Sequence, residues 1–554
     1  MFKTPFHDIL FISRRVHSLE HHYKKLKIDV PIQNILEETG KFAENVLWPI
    51  NQLADKKGCK FEQGHVMTPP GFKNAYKTYQ QGGWQGISLP EKYGGAGLPL
   101  SIHIIKSEIL ATSNWSWSMY PGLGYGAAQT LLKHGNEDVK NRFLPQLCSG
   151  EWLGTMCLTE PQCGSDLSLV KTMATPLQDN SYNVTGTKIF ISCGNHDLTE
   201  NILHCVLART PNSPPGTKGI SLFAVPKSRN VVCTRIENKM GCHGSSTCEL
   251  QFNNAQGWLI GDLNKGLNHM FTFINTSRIG TALQGLSACE LSFQLSLDYA
   301  KNRLAMRSLS GIKNPNGDAD PIIVHPDIRR MLLTQRVFAM SARSMIYECA
   351  LLADKNDEKS LSFLTPILKG FLTERGIEAA NLAIQIYGGH GYISDNPVEQ
   401  ILRDTRISSL YEGTTGIQAL DLLGRKILPN KLRDVRMYTK KVVRFCILNY
   451  SNPNSQILLK SVLSWNWYSH KIAHKVYKTK DYDIIGTVSV DYLMYSGYIM
   501  MGFHWLKMSE ITNDTDTRFE ADFYFKYIFP RIKSHIIPIE SETLMHNFDY
   551  TKLQ

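Results

Sequence analysis

Glycine, small hydroxyl residues and acids concentrate in two stretches of this 554-residue chain. The first is Leu158-Thr-Glu-Pro-Gln-Cys-Gly-Ser-Asp166. The hydroxyls of Thr159 and Ser165, with the backbone N–H groups around Gly164, can hydrogen-bond a planar heterocycle or a phosphate. The same residues also suit a Pro-Gly turn capped by Asp166, so residue type alone leaves both readings open. The second stretch is Gln385-Ile-Tyr-Gly-Gly-His-Gly-Tyr392, followed by RDTRISSLYEGTTGIQ from Arg403 to Gln418. Gly388, Gly389 and Gly391 end a helix expected from about Thr373. They allow close backbone approach to a ligand, or simply form a C-cap. Glu412 stands between Tyr411 and Gly413. At a solvated helix start it is a cap. Desolvated, its carboxylate holds a proton more readily and becomes a useful general base.

Several elements must position these residues. The spacing predicts a mostly helical region over residues 1–151, where IQNILEETGKFAENVLWPINQLA repeats apolar residues at three and four. GISLPEKYGGAGLPLS interrupts it with four glycines and two prolines, a turn signal with no clear strand before it. Over 152–266 short β-branched runs alternate with turns (YNVTGTKIFIS, ILHCVLAR, GISLFAVPK), the texture of a compact all-β domain. Amphipathic helices return over 267–430, and an additional helical segment over 431–554 follows a boundary near Lys426 to Asn430. The expected class is therefore α+β and multidomain.

Composition narrows the classes further. The chain is 42% hydrophobic and 20% charged, an ordinary globular balance that excludes a disordered tail or a fibre. No uncharged apolar run reaches the length of a membrane span. The 12 cysteines include no C-x-x-C pair, which points to free thiols in a reducing compartment and to no metal site. The basic N-terminus lacks a continuous apolar core and reads as mature protein. Net charge is +11, yet residues 431–480 alone hold eleven Lys and Arg against one acid, Asp434. Any electrostatic partner belongs to that window.

Taken in order, TEPQCGSD, KIFIS, QIYGGHG and LYEGTTGIQ resemble the acyl-CoA dehydrogenase family of flavoproteins over roughly residues 35 to 430. GISLPEKYGGAGLP, FISCGNHDLTENI and DPIIVHPDIRRMLL are most similar to its 3-methylmercaptopropionyl-CoA dehydrogenase subfamily, whose extra C-terminal domain would match 431–554. The resemblance implies an N-terminal helical domain, a central β-barrel, a helical bundle and FAD as cofactor. It implies that Glu412 removes the α-proton of an acyl-CoA while a hydride leaves the β-carbon for the flavin. The developing enolate oxygen would be held by the backbone N–H of Glu412 and a ribityl hydroxyl, one such donor being worth roughly 3–4 kcal/mol. Leu158 and Thr159 would contact the flavin ring, Ser165 cofactor or substrate, and Phe190, Ile191 and Ser192 the flavin's flank. Arg303, Gln385, Gly388 and Gly389 would reach FAD across a homodimer interface, and Thr414 and Gly416 complete that side. Asn275, Arg278 and Gly413 would serve the substrate.

The sequence departs from the family pattern at Cys163 for Ala, at Met306 for Phe, at Pro326 after His325, and in the longer loop SLSGIKNPNGDADP. The implied partner is an electron-transfer flavoprotein, and the implied location is the bacterial cytoplasm, or the mitochondrial matrix in a eukaryote. Two other readings share the fold: an acyl-CoA oxidase using dioxygen, and a nucleic-acid-binding flavoprotein of the alkylation-response type. For the basic window, a solvated face is favoured, then a peripheral membrane contact, then nucleic acid.

Overall fold

A computed structural model describes residues 1–541 and 548–552; the other residues of the expected 431–554 segment lie outside the described residues. The chain forms two compact units, one of residues 1, 5–27 and 281–554, the other of residues 2–4 and 28–280.

Within the second unit, helices cover most of residues 32–149. Inside this helical region lies a small hairpin, β1 (Lys60–Glu62) and β2 (His65–Met67), turned by Gln63 and Gly64 at positive φ. Three-residue strands are too short for alternation to show in sequence, so the reading of this region as helical passes over them. The main sheet comprises β3 (Trp152–Cys157), β4 (Met173–Pro176), β5 (Tyr182–Ser192), β6 (Asn201–Arg209), β7 (Ile220–Pro226), β8 (Val231–Ile236) and β9 (Thr247–Leu259). Strand β6 pairs with β7, β7 with β9, β9 with β5, β5 with β4, and β4 returns to β6. That ring is a closed barrel, with β3 added on β6 and β8 on β9. Its interior holds Val184, Ile191, Val206, Phe223, Leu250 and Phe252. The strand alternation therefore has a physical destination: one face fills the barrel.

The first unit is helical. Pro326–Asp354, Glu358–Tyr387 and Asp483–Ile511 are its long members, and Tyr492, Tyr495 and Trp505 of the last are fully buried. Arg343 and Glu290 form an ion pair at 2.8 Å, both essentially without exposure. Residues 5–27 belong to this unit. Asp8 pairs with Arg336, His17 bonds to Ser344 and His22 to Asp354. Apolar spacing tells which face of a segment is buried, but not against which distant element.

Among the described residues, no helix is long and apolar enough to cross a membrane. All 12 cysteines are free.

Helices Gly266–Asn302 and Glu358–Tyr387 cross closely at two glycines. A Cβ on Gly285 would stand 2.4 Å from the Leu372 carbonyl oxygen, and one on Gly376 would stand 2.8 Å from the Gly285 Cα. Gly285→Val is expected to destabilise the protein by at least about 1–3 kcal/mol through overpacking. Gly486→Ala, at a helical glycine with open space around it, should be neutral or stabilising by up to about 1 kcal/mol. Thermal melts of the two variants check the pair.

Candidate active site

The first group of candidate residues lies at the barrel. Strand β3 delivers the chain to Leu158, and the loop that follows closes on itself. Glu160 N–H donates to the Cys163 carbonyl at 2.8 Å and Cys163 N–H to the Glu160 carbonyl at 3.0 Å. Asp166 caps the next turn by accepting from Ser168 N–H, as its sequence position suggests. Strand β5 runs alongside, with Ile189 N–H donating to the Thr159 carbonyl at 2.9 Å. The structure thus brings Leu158, Thr159 and the KIFIS segment together.

A buried ion pair locks this arrangement. Lys188 Nζ donates to Glu160 Oε1 at 2.7 Å and to the Leu158 carbonyl at 3.0 Å, with side chains 0% and 3% exposed. Glu160 also accepts from Thr172 N–H and Oγ1, Lys171 N–H and Gln162 Nε2. Burial alone would raise the Glu160 carboxyl. The charge of Lys188 and these hydrogen bonds outweigh it and hold the group at about 2. Burial pulls the Lys188 ammonium down against the attraction of Glu160. Each charge compensates the other, and removing either partner would leave an uncompensated charge in the interior. The sequence reading names neither role. The only local signal is a Lys within the β-branched run of β5; Glu160, between Thr159 and Pro161, reads as part of a turn.

A register shift in β5 between Lys188 and Ile191 puts Phe190 at φ 57° and 59% exposed, while Ile191 is buried. The irregularity re-aims one side chain without unpairing the strand. Among the described residues, the hydroxyls of Thr159 and Ser165 have no protein partner, and Ser165 is exposed. Two unengaged hydroxyl donors beside an outward-facing aromatic suit the rim of a flavin, so the residues present fit that group.

The second group sits at the paired ends of two helices. Arg303 follows Gly266–Asn302, and Gln385, Gly388 and Gly389 close Glu358–Tyr387. Tyr299 stacks on Tyr387 with centroids 3.9 Å apart, and its hydroxyl meets His390 Nδ1 at 3.1 Å. Gly388 is a C-cap at φ 58°, and nothing lies within 4 Å of a Cβ built on Gly388 or Gly389. Gly388 is thus the cap and Gly388 and Gly389 leave open backbone, whereas a Cβ on Gly391 would stand 2.6 Å from the Ile384 carbonyl oxygen, so that glycine serves a close internal packing. Arg303 is exposed and, among the described residues, forms no ion pair. The long loop after it is folded around Asp320, which is fully buried and accepts from the backbone N–H groups of Ser308, Lys313 and Asn314. Together with Arg307, these donors hold its carboxyl down at about 2.

The third group is the turn at Glu412. Glu412 and Gly413 have φ of 57° and 94°, both left-handed. The glycine adopts this freely, whereas the glutamate does so at roughly 1–2 kcal/mol, a strain that the surroundings must support. They do so from three sides. Gln418 Nε2 donates to the Glu412 carbonyl at 2.8 Å, and Lys369 Nζ to the Gly413 carbonyl at 2.5 Å. Tyr411 donates to Gln284 Oε1 at 2.6 Å, and Gln284 Nε2 in turn donates to the Asp404 carbonyl. Thr414 caps the short helix Thr415–Leu420, which contains Gly416, and Thr415 bonds to Glu374. Glu412 is half-buried, between the solvated cap and the fully desolvated base that the sequence left open. Lys369, Gln418 and Gln284 are positioning residues that no local pattern announced.

Asn275 and Arg278 lie one turn apart on Gly266–Asn302, the first half-buried and the second 5% exposed.

Sequence models of the acyl-CoA dehydrogenase N-terminal, middle and C-terminal domains match residues 32–151, 155–255 and 264–428. A fourth, described as acetyl-CoA dehydrogenase C-terminal like, matches 458–546. The chain is 39% identical over 468 residues to the 3-methylmercaptopropionyl-CoA dehydrogenase of Ruegeria pomeroyi, covering 80% of this chain and 79% of that one. The structure of butyryl-CoA dehydrogenase from Megasphaera elsdenii superposes with a TM-score of 0.63 at 26% identity, covering 72% of this chain and 98% of that one. Caenorhabditis elegans ACDH-11, solved with C11-CoA, shares the fold over 99% of this chain and 96% of its own, with a TM-score of 0.78 at 19% identity.

Proposed function

Because the chain belongs to the acyl-CoA dehydrogenase family, we propose that its substrate is 3-methylmercaptopropionyl-CoA or a fatty acyl-CoA and that Glu412 is the base. The protein is an FAD-dependent oxidoreductase acting on the CH–CH bond of acyl-CoA thioesters. The observation that carries the assignment of the base is the left-handed turn at Glu412, held at both its carbonyls by Gln418 and Lys369. A carboxylate that must take a proton from carbon gains most from fixed placement, since proton transfer falls off steeply with misalignment.

FAD, when bound, supplies the acceptor for the hydride. Thr159 and Ser165 offer it hydroxyl donors, Ile191 and Ser192 flank it, and Leu158 is held in place by Lys188. Arg303, Gln385, Gly388 and Gly389 reach the cofactor of a neighbouring subunit, and Thr414 and Gly416 line the same side. Asn275, Arg278 and Gly413 orient the thioester. The protein acts as a homodimer and passes electrons to an electron-transfer flavoprotein. Support for the shared site is the unpaired Arg303 beside open glycine backbone at the end of the same helix pair.

The test is an acceptor-coupled assay over a panel of acyl-CoA thioesters, run with electron-transfer flavoprotein and, separately, with dioxygen alone. Turnover of 3-methylmercaptopropionyl-CoA or a fatty acyl-CoA with the flavoprotein, and slow reoxidation by oxygen, is the expected result. Equal rates with oxygen alone would make the protein an oxidase. Light scattering that shows a monomer carrying its full FAD would refute the shared site.

A further inference from the structure

The basic window found in the sequence folds into a helical hairpin, Arg433–Leu448 and Pro453–Thr479. Its inner face is buried through Val435, Val442, Cys446, Leu458, Val462 and Trp465. Its outer face has two distinct parts. Around the tip, Ile447, Leu448, Tyr450 and Ile457 are 60%, 74%, 55% and 41% exposed. Behind the tip, exposed cations run back along each helix: Arg436, Lys440 and Arg444 at intervals of four, and Lys460, Lys471 and Lys478 at intervals of eleven and seven. Both sets of intervals keep side chains on one helical face. Among the described residues none of these six cations makes an ion pair. Trp467, 54% exposed, lies on the same face under the Lys471 ammonium, 5.2 Å from the ring centroid.

The tip is a built element. Ser455 Oγ donates to the Cys446 carbonyl, Gln456 Nε2 to the Tyr450 carbonyl, and Asn449 Nδ2 to the Phe445 carbonyl. Glu510 and Asp522, acids at this end, accept from Asn452 and Asn454 and so tie the loop to its neighbours. An exposed apolar tip flanked by cations that form no ion pair among the described residues needs two things from a partner: apolar depth at the centre and negative charge around it.

We propose that this hairpin tip docks on an anionic lipid surface, with Ile447, Leu448, Tyr450 and Ile457 in the interfacial layer and Arg444 and Lys460 at the headgroup phosphates. A phosphodiester backbone would satisfy the cations but offers nothing to four exposed apolar side chains at the end of a hairpin. A bilayer interface supplies both, and it favours Tyr and Trp at headgroup level.

The full-length FAD-loaded protein, sedimented with phosphatidylcholine vesicles with and without phosphatidylglycerol, tests the proposal. Binding to the anionic vesicles should exceed that to phosphatidylcholine at least tenfold at low salt and weaken as salt rises. Arg444→Gln with Lys460→Gln should lower anionic-vesicle affinity about thirtyfold, at roughly a tenfold loss per 1.4 kcal/mol and about 1 kcal/mol per cation. Ile447→Ser with Leu448→Ser should lower it by about tenfold or more. Both variants change exposed side chains only, and their turnover of a soluble acyl-CoA in the absence of lipid should equal that of the wild type, which shows that they fold. The proposal is overturned if anionic vesicles do not sediment the protein at low salt. It also fails if both folded variants bind like the wild type, or if duplex DNA displaces the protein from vesicles at equal charge concentration.

Discussion

Glu412→Gln is expected to slow anaerobic single-turnover flavin reduction by acyl-CoA about 10²–10⁴-fold, the range lost with a general base. The amide keeps the side chain's size, so bound FAD and the affinity for a thioester should survive. The turn itself should also survive, because it is held through backbone carbonyls: Gln418 grips the Glu412 oxygen and Lys369 the Gly413 oxygen. Gln418→Leu provides the contrast. It leaves the carboxylate in place but frees the strained backbone, and a smaller loss in rate with bound FAD unchanged would show positioning rather than chemistry. Wild-type reduction rates in Glu412→Gln would place the base elsewhere.

Lys188→Met should destabilise the barrel-containing unit by about 3–5 kcal/mol, because it strands a buried carboxylate. For a unit of this size that lowers its melting temperature by about 10 °C or somewhat more. It should also weaken FAD retention, since Lys188 holds the Leu158 carbonyl that precedes Thr159. Adding Glu160→Gln should recover part of the stability, as the stranded charge is then gone. Glu160 is therefore no neutral control for Glu412, although its place in a proline turn invites that use. The same pair sets an acid limit. The Glu160 carboxyl is held at about 2, below its ordinary value, so its contribution is present at neutral pH and is lost as pH falls from the usual carboxylate range through about 2. Denaturant melts of wild type and both variants across acid pH measure this directly, and equal midpoints for wild type and Lys188→Met would deny the pair its role.

Much of the candidate site was legible because its parts are local. TEPQCGSD, KIFIS, QIYGGHG and LYEGTTG are each contiguous; glycines, hydroxyls and a lone acid mark them as candidates, and their order along the chain carries the resemblance. The groups that hold them were not legible for the opposite reason. Lys188 is 28 residues from Glu160, Lys369 is 44 from Gly413, and Gln284 is 127 from Tyr411. Nothing in a helix repeat or a strand alternation distinguishes a Lys or Gln bound for a distant carbonyl from one facing water.

The sequence by itself determined the order of helical, β and helical regions, because periodicity is a local property of the chain. It also located the base candidate and the excess positive charge. Tertiary structure alone decided what each buried face meets: the return of β4 to β6 that closes the barrel, the seating of residues 5–27 with 281–554, and the close crossing at Gly285 and Gly376. It also decided that the charged window is a hairpin with an apolar tip. These depend on contacts between residues far apart in the chain, and a hydrophobic stripe carries no label for its partner.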